Sequence, residues 1–198
     1  MTKGVLFIMS GPSGTGKGTI CQELLKTEDI YLSISSTTRE IRKGEVDGVT
    51  YNYTSVEEFE KMIENSQMLE YAKYGENYYG TPRKTVEDKL NEGKNVLLEI
   101  EAQGAMQVKK LIPDAVLIFI IPPSMAELKK RLTDRGREDE DQIRQRLDTA
   151  KWEFTQAPMY TKVMVNDDLM RCVAEVSDFI KSKTEERKTL DILLNEQY

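Results

Sequence analysis

An α/β fold, with a five-stranded parallel sheet and helices on both faces, is predicted by three features of the sequence. Apolar runs recur along the chain at Val5–Met9, Tyr31–Ser36, Asn95–Glu101, Ala115–Ile121 and Lys162–Asn166. Helical periodicity fills most of the stretches between them, the alternation that builds a parallel sheet through helical crossovers. The runs NVLLEIE and AVLIFII open as continuous apolar stretches, as strands do when both faces are covered.

The elements follow in order. VLFIM reads as a buried strand, and a helix follows it in which Ile20 and Leu24 share a face. YLSISS reads as the second core strand. Residues 37–54 are polar, contain Gly44 and Gly48, and end in alternating Tyr51 and Tyr53, as in a short antiparallel strand. Ser55 through Glu58 form a capping-box pattern, and Phe59, Met62 and Ile63 supply the apolar face of the helix it starts. Residues 68–74 and 77–79 flank Gly75-Glu76, a pair suited to a two-residue hairpin turn. Pro82 opens a helix with Val86 and Leu90 on its face and Gly93 at its end. A helix is expected after Gly104. Ser124 to Glu127 form a second capping-box pattern, and the helix from there breaks near Gly136. A further helix carries Ile143, Leu147, Ala150 and Phe154, and a long final helix uses Leu169, Val173, Val176 and Ile180. The expected organisation is one domain over 1–198. Its core is 1–36, 82–124 and 159–198, with a small mixed insertion at 37–81 and a helical lid at about 125–158.

Composition excludes several kinds of chemistry. The chain has 198 residues, a net charge of −6 and no histidine. A general nucleic-acid binder is not expected, and no mechanism can use an imidazole. Cys21 and Cys172 sit at apolar helix positions, so they read as buried thiols, not as a disulfide framework or a metal cluster. The chain enters its first strand almost at once and has no membrane-length apolar run, so a cytoplasmic protein without a signal peptide is expected.

The sharpest motif is Gly11-Pro12-Ser13-Gly14-Thr15-Gly16-Lys17, between the first strand and the first helix. This is a Walker A match in its proper context. Glycines let successive N–H groups converge on phosphate oxygens, and the helix start adds unpaired donors and a positive dipole end. Lys17 supplies a full charge. The usual hydroxyl after the lysine is replaced by Gly18, and a hydroxyl comes one residue later, at Thr19. The metal is therefore expected to be held by phosphates and water more than by the loop.

Three charged groups extend this reading. Arg39 and Arg42 can converge on one anion, since guanidinium forks match phosphate geometry; read alone, a solvated surface pair is the stronger reading, because surface arginines are common. Arg131, Arg135, Arg137, Arg144 and Arg146 surround the break at Gly136. They are either a solvated helix face paired with Glu138, Asp139, Glu140 and Asp141, or a closing cap that neutralises a transferring phosphoryl group. Glu99 and Glu101 end a buried strand, at the sheet edge where open α/β folds bind ligands and where a carboxylate can orient Mg²⁺.

The segments GPSGTGKG, SSTTR-x-x-R-x-G-E, NYYGTP, LEIEAQGA and VNDD, in this order and spacing, resemble the guanylate kinase family. The resemblance runs from Val5 to about Ile180. It implies a P-loop NTPase-like fold and transfer of the γ-phosphate of ATP to GMP with Mg²⁺, within purine nucleotide metabolism. It implies catalytic roles for Lys17, Arg42, Arg131, Arg135 and Arg146. It implies ATP contacts from Gly11 through Thr19 (Gly11, Pro12, Ser13, Gly14, Thr15, Gly16, Lys17, Gly18 and Thr19) and from Asn166. It places Arg39, Arg42, Tyr51 and Tyr79 on the GMP phosphate, supported by Glu45. Ser35, Glu70 and Thr81 would read guanine, and Glu99 would stand between the substrates and reach the metal through water. A single carboxylate can accept guanine N1–H and the 2-amino group together, while hydroxyls serve O6. Two other readings remain open from the sequence: a kinase for another nucleoside monophosphate, and a scaffold-type domain that binds phosphopeptides. Intact Lys17 and lid arginines argue against the second. Use of dGMP is expected, and the oligomeric state, homo-oligomers included, is left open.

Overall fold

In the computed structural model, which describes residues 3–134, 136 and 139–195 (backbone only at 195), the core is one parallel sheet. Its strands are β1 (Leu6–Ser10), β2 (Ile30–Leu32), β7 (Asn95–Glu99), β8 (Val116–Ile121) and β9 (Lys162–Val165), in the order β2-β7-β1-β8-β9. The central strand β1 pairs with β7 and β8, both in parallel. The five predicted core strands and their parallel pairing are all present.

Alternation along β1 builds the two layers. Val5, Phe7 and Met9 face one side, against Ile20 and Leu24 of α1 (Lys17–Thr27) and Val173, Val176 and Ile180 of α7 (Leu169–Asn195). Leu6 and Ile8 face the other, with Val86 and Leu90 of α3 (Arg83–Asn91) and Ala105 and Val108 of α4 (Ala102–Leu111). Cys21 and Cys172 are buried free thiols in the first layer, as expected. None of the described helices is long and apolar enough to cross a membrane.

A second, four-stranded mixed sheet stands beside the core in the order β4-β3-β6-β5. It comprises β3 (Ser36–Thr37), β4 (Asn52–Tyr53), β5 (Met68–Tyr74) and β6 (Asn77–Pro82). Helix α2 (Val56–Glu64) covers it through the buried Phe59. Ser55 caps that helix by accepting from Glu58 N–H (3.1 Å). The turn between β5 and β6 is Gly75-Glu76, with Gly75 at φ +60. Tyr51 and Tyr53 do not form the antiparallel strand expected from their alternation. Tyr53 belongs to β4, which runs parallel to β3, and Tyr51 lies in an isolated parallel bridge with Asp47.

Two boundaries differ from expectation. YLSISS is shared between sheets: Leu32 pairs with Leu97 in the core, and four residues later Ser36 pairs with Asn52 and Gly80. The helix expected after Gly104 starts at Ala102, so Gly104 lies inside it. After β8 come α5 (Met125–Asp134) and α6 (Glu140–Thr155), joined by a small apolar cluster of Leu128, Leu132, Ile143 and Ala150. Ser124 accepts from Glu127 N–H (3.1 Å) at the start of α5. Asp139, read as a partner for arginines, instead caps α6. Its side chain accepts from Gln142 N–H (2.8 Å), and Gln142 accepts from Asp139 N–H (3.1 Å).

Candidate active site

The carboxyl end of β1 turns directly into the glycine loop. Thr15 fastens the loop on itself, its hydroxyl donating to Pro12 O (2.8 Å). Asn166, buried just after β9, donates from Nδ2 to Thr15 O (2.8 Å). A Cβ on Gly16, which has φ +92, would lie 2.5 Å from that amide nitrogen. Asn166 therefore holds the loop's backbone, and glycine is what allows the close approach. Gly16 caps α1 without a side-chain bond, and no acid occupies the first turn, so its N–H groups and dipole remain available to an anion. Lys17 Nζ donates to Pro12 O (3.1 Å) and to Gly11 O, spanning the loop.

Carboxylates stand opposite Lys17. The register pairs Met9 with Glu99, which puts Glu99 beside the loop. A Cβ built on Gly18 would lie 3.5 Å from Glu99 Oε1, an ordinary contact distance. Enclosure pushes the Lys17 pKa down, although part of the side chain reaches solvent; Glu99, Glu153 and Glu101, in that order, oppose the shift. Glu99 opens to the cleft but is walled by protein, which pushes its carboxyl up against the pull of Lys17. Glu101 accepts a hydrogen bond from Tyr74 Oη.

The arginine loop is organised by Glu45. Its carboxylate accepts from Arg39 Nη2 (2.7 Å), Arg42 N–H (2.8 Å) and Tyr53 Oη (2.7 Å). These bonds, led by that from Arg39, hold its pKa down at about 2. The Arg39 guanidinium also lies 5.7 Å from the centre of the Tyr51 ring. Tyr51 meets Tyr79 edge-on at 6.0 Å, and Tyr79 meets Tyr74 at 5.9 Å, so an aromatic wall runs from the arginines toward Glu101. The Arg42 side chain is exposed at the loop surface.

Glu70 lies at the far end of this wall, on β5, and is 6% exposed. The Thr81 hydroxyl donates to Glu70 Oε1 (2.6 Å) across the β5–β6 pair. Burial raises the Glu70 pKa to about 7, against the lowering effect of Thr81. Ser35, Tyr51, Glu70, Tyr79 and Glu101 share a cleft of about 400 Å³. A neighbouring cleft of about 520 Å³ holds Lys17, Gly18, Ser35, Tyr51 and Glu99. The two share Ser35, Tyr51, Glu99, Ile100, Glu101 and Arg146, and so form one trough from Glu70 to the phosphate loop.

Helix α6 contributes Arg146 to this trough, and α5 contributes Arg131 to a cleft beside the loop. Arg146 Nη1 donates to Ser13 Oγ in the loop (2.8 Å). Arg131 bonds Glu127 (2.8 Å) and Asn166 O (2.9 Å), lining a third cleft of about 480 Å³ with Gly14, Gly16 and Thr19. The arginine beside Gly136 with a predicted catalytic role, Arg135, lies outside the described residues, as do Arg137 and Glu138. A separate cleft of about 540 Å³ at the opposite end of the sheet, around Lys3, Leu90 and Arg187, gathers none of the predicted residues.

Sequence reasoning missed several residues at or near the trough, among them Tyr74, Gly104, Glu153 and Gln107. Glu153 on α6 is 6% exposed, and burial raises its pKa to about 7 despite Lys17. Its signal was an acid three residues after Ala150 on the apolar face of its helix. Gln107 on α4 bonds the backbone of Tyr71, beside Glu70, through both ends of its amide (3.2 and 3.0 Å). Nothing in the local sequence distinguishes it.

The family model described as guanylate kinase matches residues 3–183. A guanylate kinase of Oceanobacillus iheyensis is 50% identical over 189 residues, 95% of this chain and 92% of the relative. One from Thermus thermophilus is 48% identical over 186 residues, 94% of this chain and 83% of the relative. The crystal structure of guanylate kinase from Anaplasma phagocytophilum superposes with a TM-score of 0.76 at 33% identity, covering 92% of this chain and 87% of that one. The trough and its loop are thus set in a fold and a sequence shared along almost the whole length of these relatives, and the chain belongs to the guanylate kinase family.

Proposed function

We propose that the chain transfers the γ-phosphate of ATP to GMP, giving ADP and GDP. The observation that carries the reading is Glu70, a buried carboxylate in a trough that also holds Lys17. Ionised Glu70 presents acceptors where guanine presents N1–H and its 2-amino group, and Ser35 can donate to O6. Thr81 directs its hydroxyl to Glu70, so its part is to orient that carboxylate. Arg39 and Arg42, with Tyr51 and Tyr79, receive the GMP phosphate. The loop from Gly11 to Thr19 and Lys17 hold the ATP phosphates, Asn166 steadies the loop, and Arg131, Arg135 and Arg146 come from the lid. dGMP is a second acceptor, since base and phosphate carry the contacts.

The reaction is an in-line displacement. An oxygen of the GMP phosphate attacks the γ-phosphorus, its bond to the bridging oxygen breaks, and ADP leaves with that electron pair. The attacking oxygen is already anionic, so no strong base is needed, and the work is positioning and charge neutralisation. Closure of the insertion 37–81 and the lid, about 125–158, excludes water from the site. Mg²⁺ takes oxygen ligands, keeps several waters, and is commonly held by one or two carboxylates plus substrate phosphates. Glu99, within contact distance of a Cβ built on Gly18 and sharing a cleft with Lys17, fits that demand through water, whereas Thr19 lines the cleft with Arg131 and Asn166. When bound, the ion neutralises charge on the phosphate oxygens.

The test is ADP formation from ATP with Mg²⁺, run in parallel with GMP, AMP, CMP and UMP. Turnover with GMP alone is expected. Turnover with AMP instead would reject the assignment of Glu70, and no turnover with any acceptor would reject the kinase reading.

Glu45→Gln gives a second expectation. The variant loses the charge that holds Arg39, Arg42 and Tyr53 in one arrangement. Charge-assisted bonds are about twice as strong as neutral ones, and KM for GMP should rise by about tenfold. KM for ATP should stay within about twofold, since misplacement costs fall on the substrate that is misplaced. Steady-state kinetics with each substrate varied in turn checks both.

A further inference from the structure

Gly104 and Gln107, three residues apart on one face of α4, lie against the strand that carries Glu70. A Cβ at Gly104 would lie 2.5 Å from Glu70 Oε2 and 3.1 Å from its Cδ. Real Cβ atoms do not approach a neighbour so closely, so the bare Cα of Gly104 makes the space in which the carboxylate sits. Glycine is a poor helix former, yet it occupies the third position of α4. One residue beyond Glu70, the Gln107 amide accepts from Tyr71 N–H and donates to Tyr71 O. One residue before it, Leu69 is buried in the same cluster as Ala105 and Val108. The backbone on both sides of Glu70 is therefore fastened to α4, and the side chain between is given room by the one helix position that lacks a Cβ.

We propose that Gly104 and Gln107 are positioning residues for base selection: they set the depth and direction of the Glu70 carboxylate, and so the preference for a purine carrying a 2-amino group. This rests on the reading of the trough as a GMP site and deepens it. The chemistry that reports the effect is the contrast between GMP and IMP, which share every atom except the 2-amino group. Both have N1–H and O6. Only GMP offers the second donor that a correctly placed carboxylate can accept.

The experiment measures binding of GMP and of IMP by calorimetry without ATP, and then turnover with each. In Gly104→Ala the carboxylate must shift by about an ångström to reach ordinary contact distance, or turn to another rotamer. Affinity for GMP should fall by ~10²-fold, the scale of cost expected for an ångström of misplacement. IMP should lose much less, so the GMP-to-IMP ratio should fall by at least ~10-fold, since the lost bond is one that only GMP makes. Gln107→Met keeps the side-chain length but breaks both bonds to Tyr71, and should lower the ratio in the same direction by a smaller factor. Glu70→Asp placed in the Gly104→Ala background retracts the carboxylate by one methylene and removes the overlap. The double variant should recover part of the ratio and exceed what the two single changes predict together.

A purely structural role for the pair would lower thermal stability without moving the ratio. An unchanged ratio in Gly104→Ala, or strict additivity with Glu70→Asp, overturns the proposal. If Gly104→Ala does not fold, an unchanged ratio in Gln107→Met does so instead. Failure of the kinase reading would show differently, as GMP binding by the unaltered chain without turnover.

Discussion

Lys17→Met is expected to lower kcat by ~10³-fold or more, the scale on which single preorganised charges stabilise a phosphoryl-transfer transition state. Its ammonium stands at the mouth of the loop and is the cationic counterpart of Glu99, Glu153 and Glu101. Without it, an incoming triphosphate meets those carboxylates with one fewer cation at the loop, leaving the backbone donors and the lid arginines to offset them, so affinity for ATP should fall as well. The fold should survive. Burial holds the Lys17 pKa below its ordinary value. Its charged form is therefore less favourable in the folded chain than in the unfolded one, and methionine removes that cost while keeping the length. The measurement pairs an ADP-release assay with thermal denaturation. Activity within tenfold of the unaltered chain, at unchanged stability, would contradict the role assigned to the loop. A fall in both would mean that Lys17 is chiefly structural.

The core sheet was legible because its strands are covered on both faces, which writes burial into the sequence as continuous apolar runs at Asn95–Glu101 and Ala115–Ile121. The split of YLSISS was not. Pattern reports exposure along a strand but not the identity of its hydrogen-bonding partner. Ser33 still donates to Leu97 O in the core (2.9 Å), while Ser35 O already accepts from Asn52 in the second sheet (2.9 Å). Gly104 misled for a related reason. As a local signal, glycine marks a helix boundary. Here it lies inside α4 because a side chain 34 positions away in sequence needs the space, which no local rule contains.

The site shows the same division. Lys17, Arg39 and Glu99 could be singled out as candidates because phosphate chemistry favours particular residue types at fixed spacings, whereas Glu45 entered only through the family resemblance. The function of Asn166 was seen only from outside: its place in VNDD pointed to the ATP side, but the structure shows its amide committed to Thr15 O, which holds the loop's shape. The acidic run 138–141 looked like a store of partners for lid arginines. Asp139 is instead a helix cap, and Arg131 bonds Glu127 on its own helix. Charge runs are ambiguous in sequence because capping, dipole and ion-pair roles all favour the same residues.

Glu70→Gln is expected to lower kcat/KM for GMP by ~10³-fold, because the amide turns a donor toward guanine's donors, and mismatched buried polar groups discriminate on this scale or above. It should also stabilise the empty protein. The Glu70 pKa is about 7 in the fold against an ordinary 4.5. Between those values the folded state binds a proton that the unfolded state has released, so stability falls as pH rises through this window. Above pH 7 the buried charge is a full burden of about 3 kcal/mol, which glutamine removes while its carbonyl still accepts from Thr81. For a chain of this size that corresponds to a rise in Tm of roughly 6–12 °C at pH 8. At pH 4 Glu70 is largely protonated in both states, and the two proteins should melt nearly together. Base reading has the opposite sign, because only the ionised carboxylate accepts from guanine. KM for GMP should therefore climb by up to ~10-fold per pH unit below 7, as one protonation requires, and this component should be absent in Glu70→Gln. The GMP phosphate titrates in both proteins alike, and Glu153 is also common to both, so the difference between the two profiles isolates Glu70. Equal melting temperatures at pH 8 with a lost GMP preference would mean that Glu70 is not desolvated in the empty trough. A raised Tm with an unaltered GMP preference would mean that it is buried for some purpose other than reading the base.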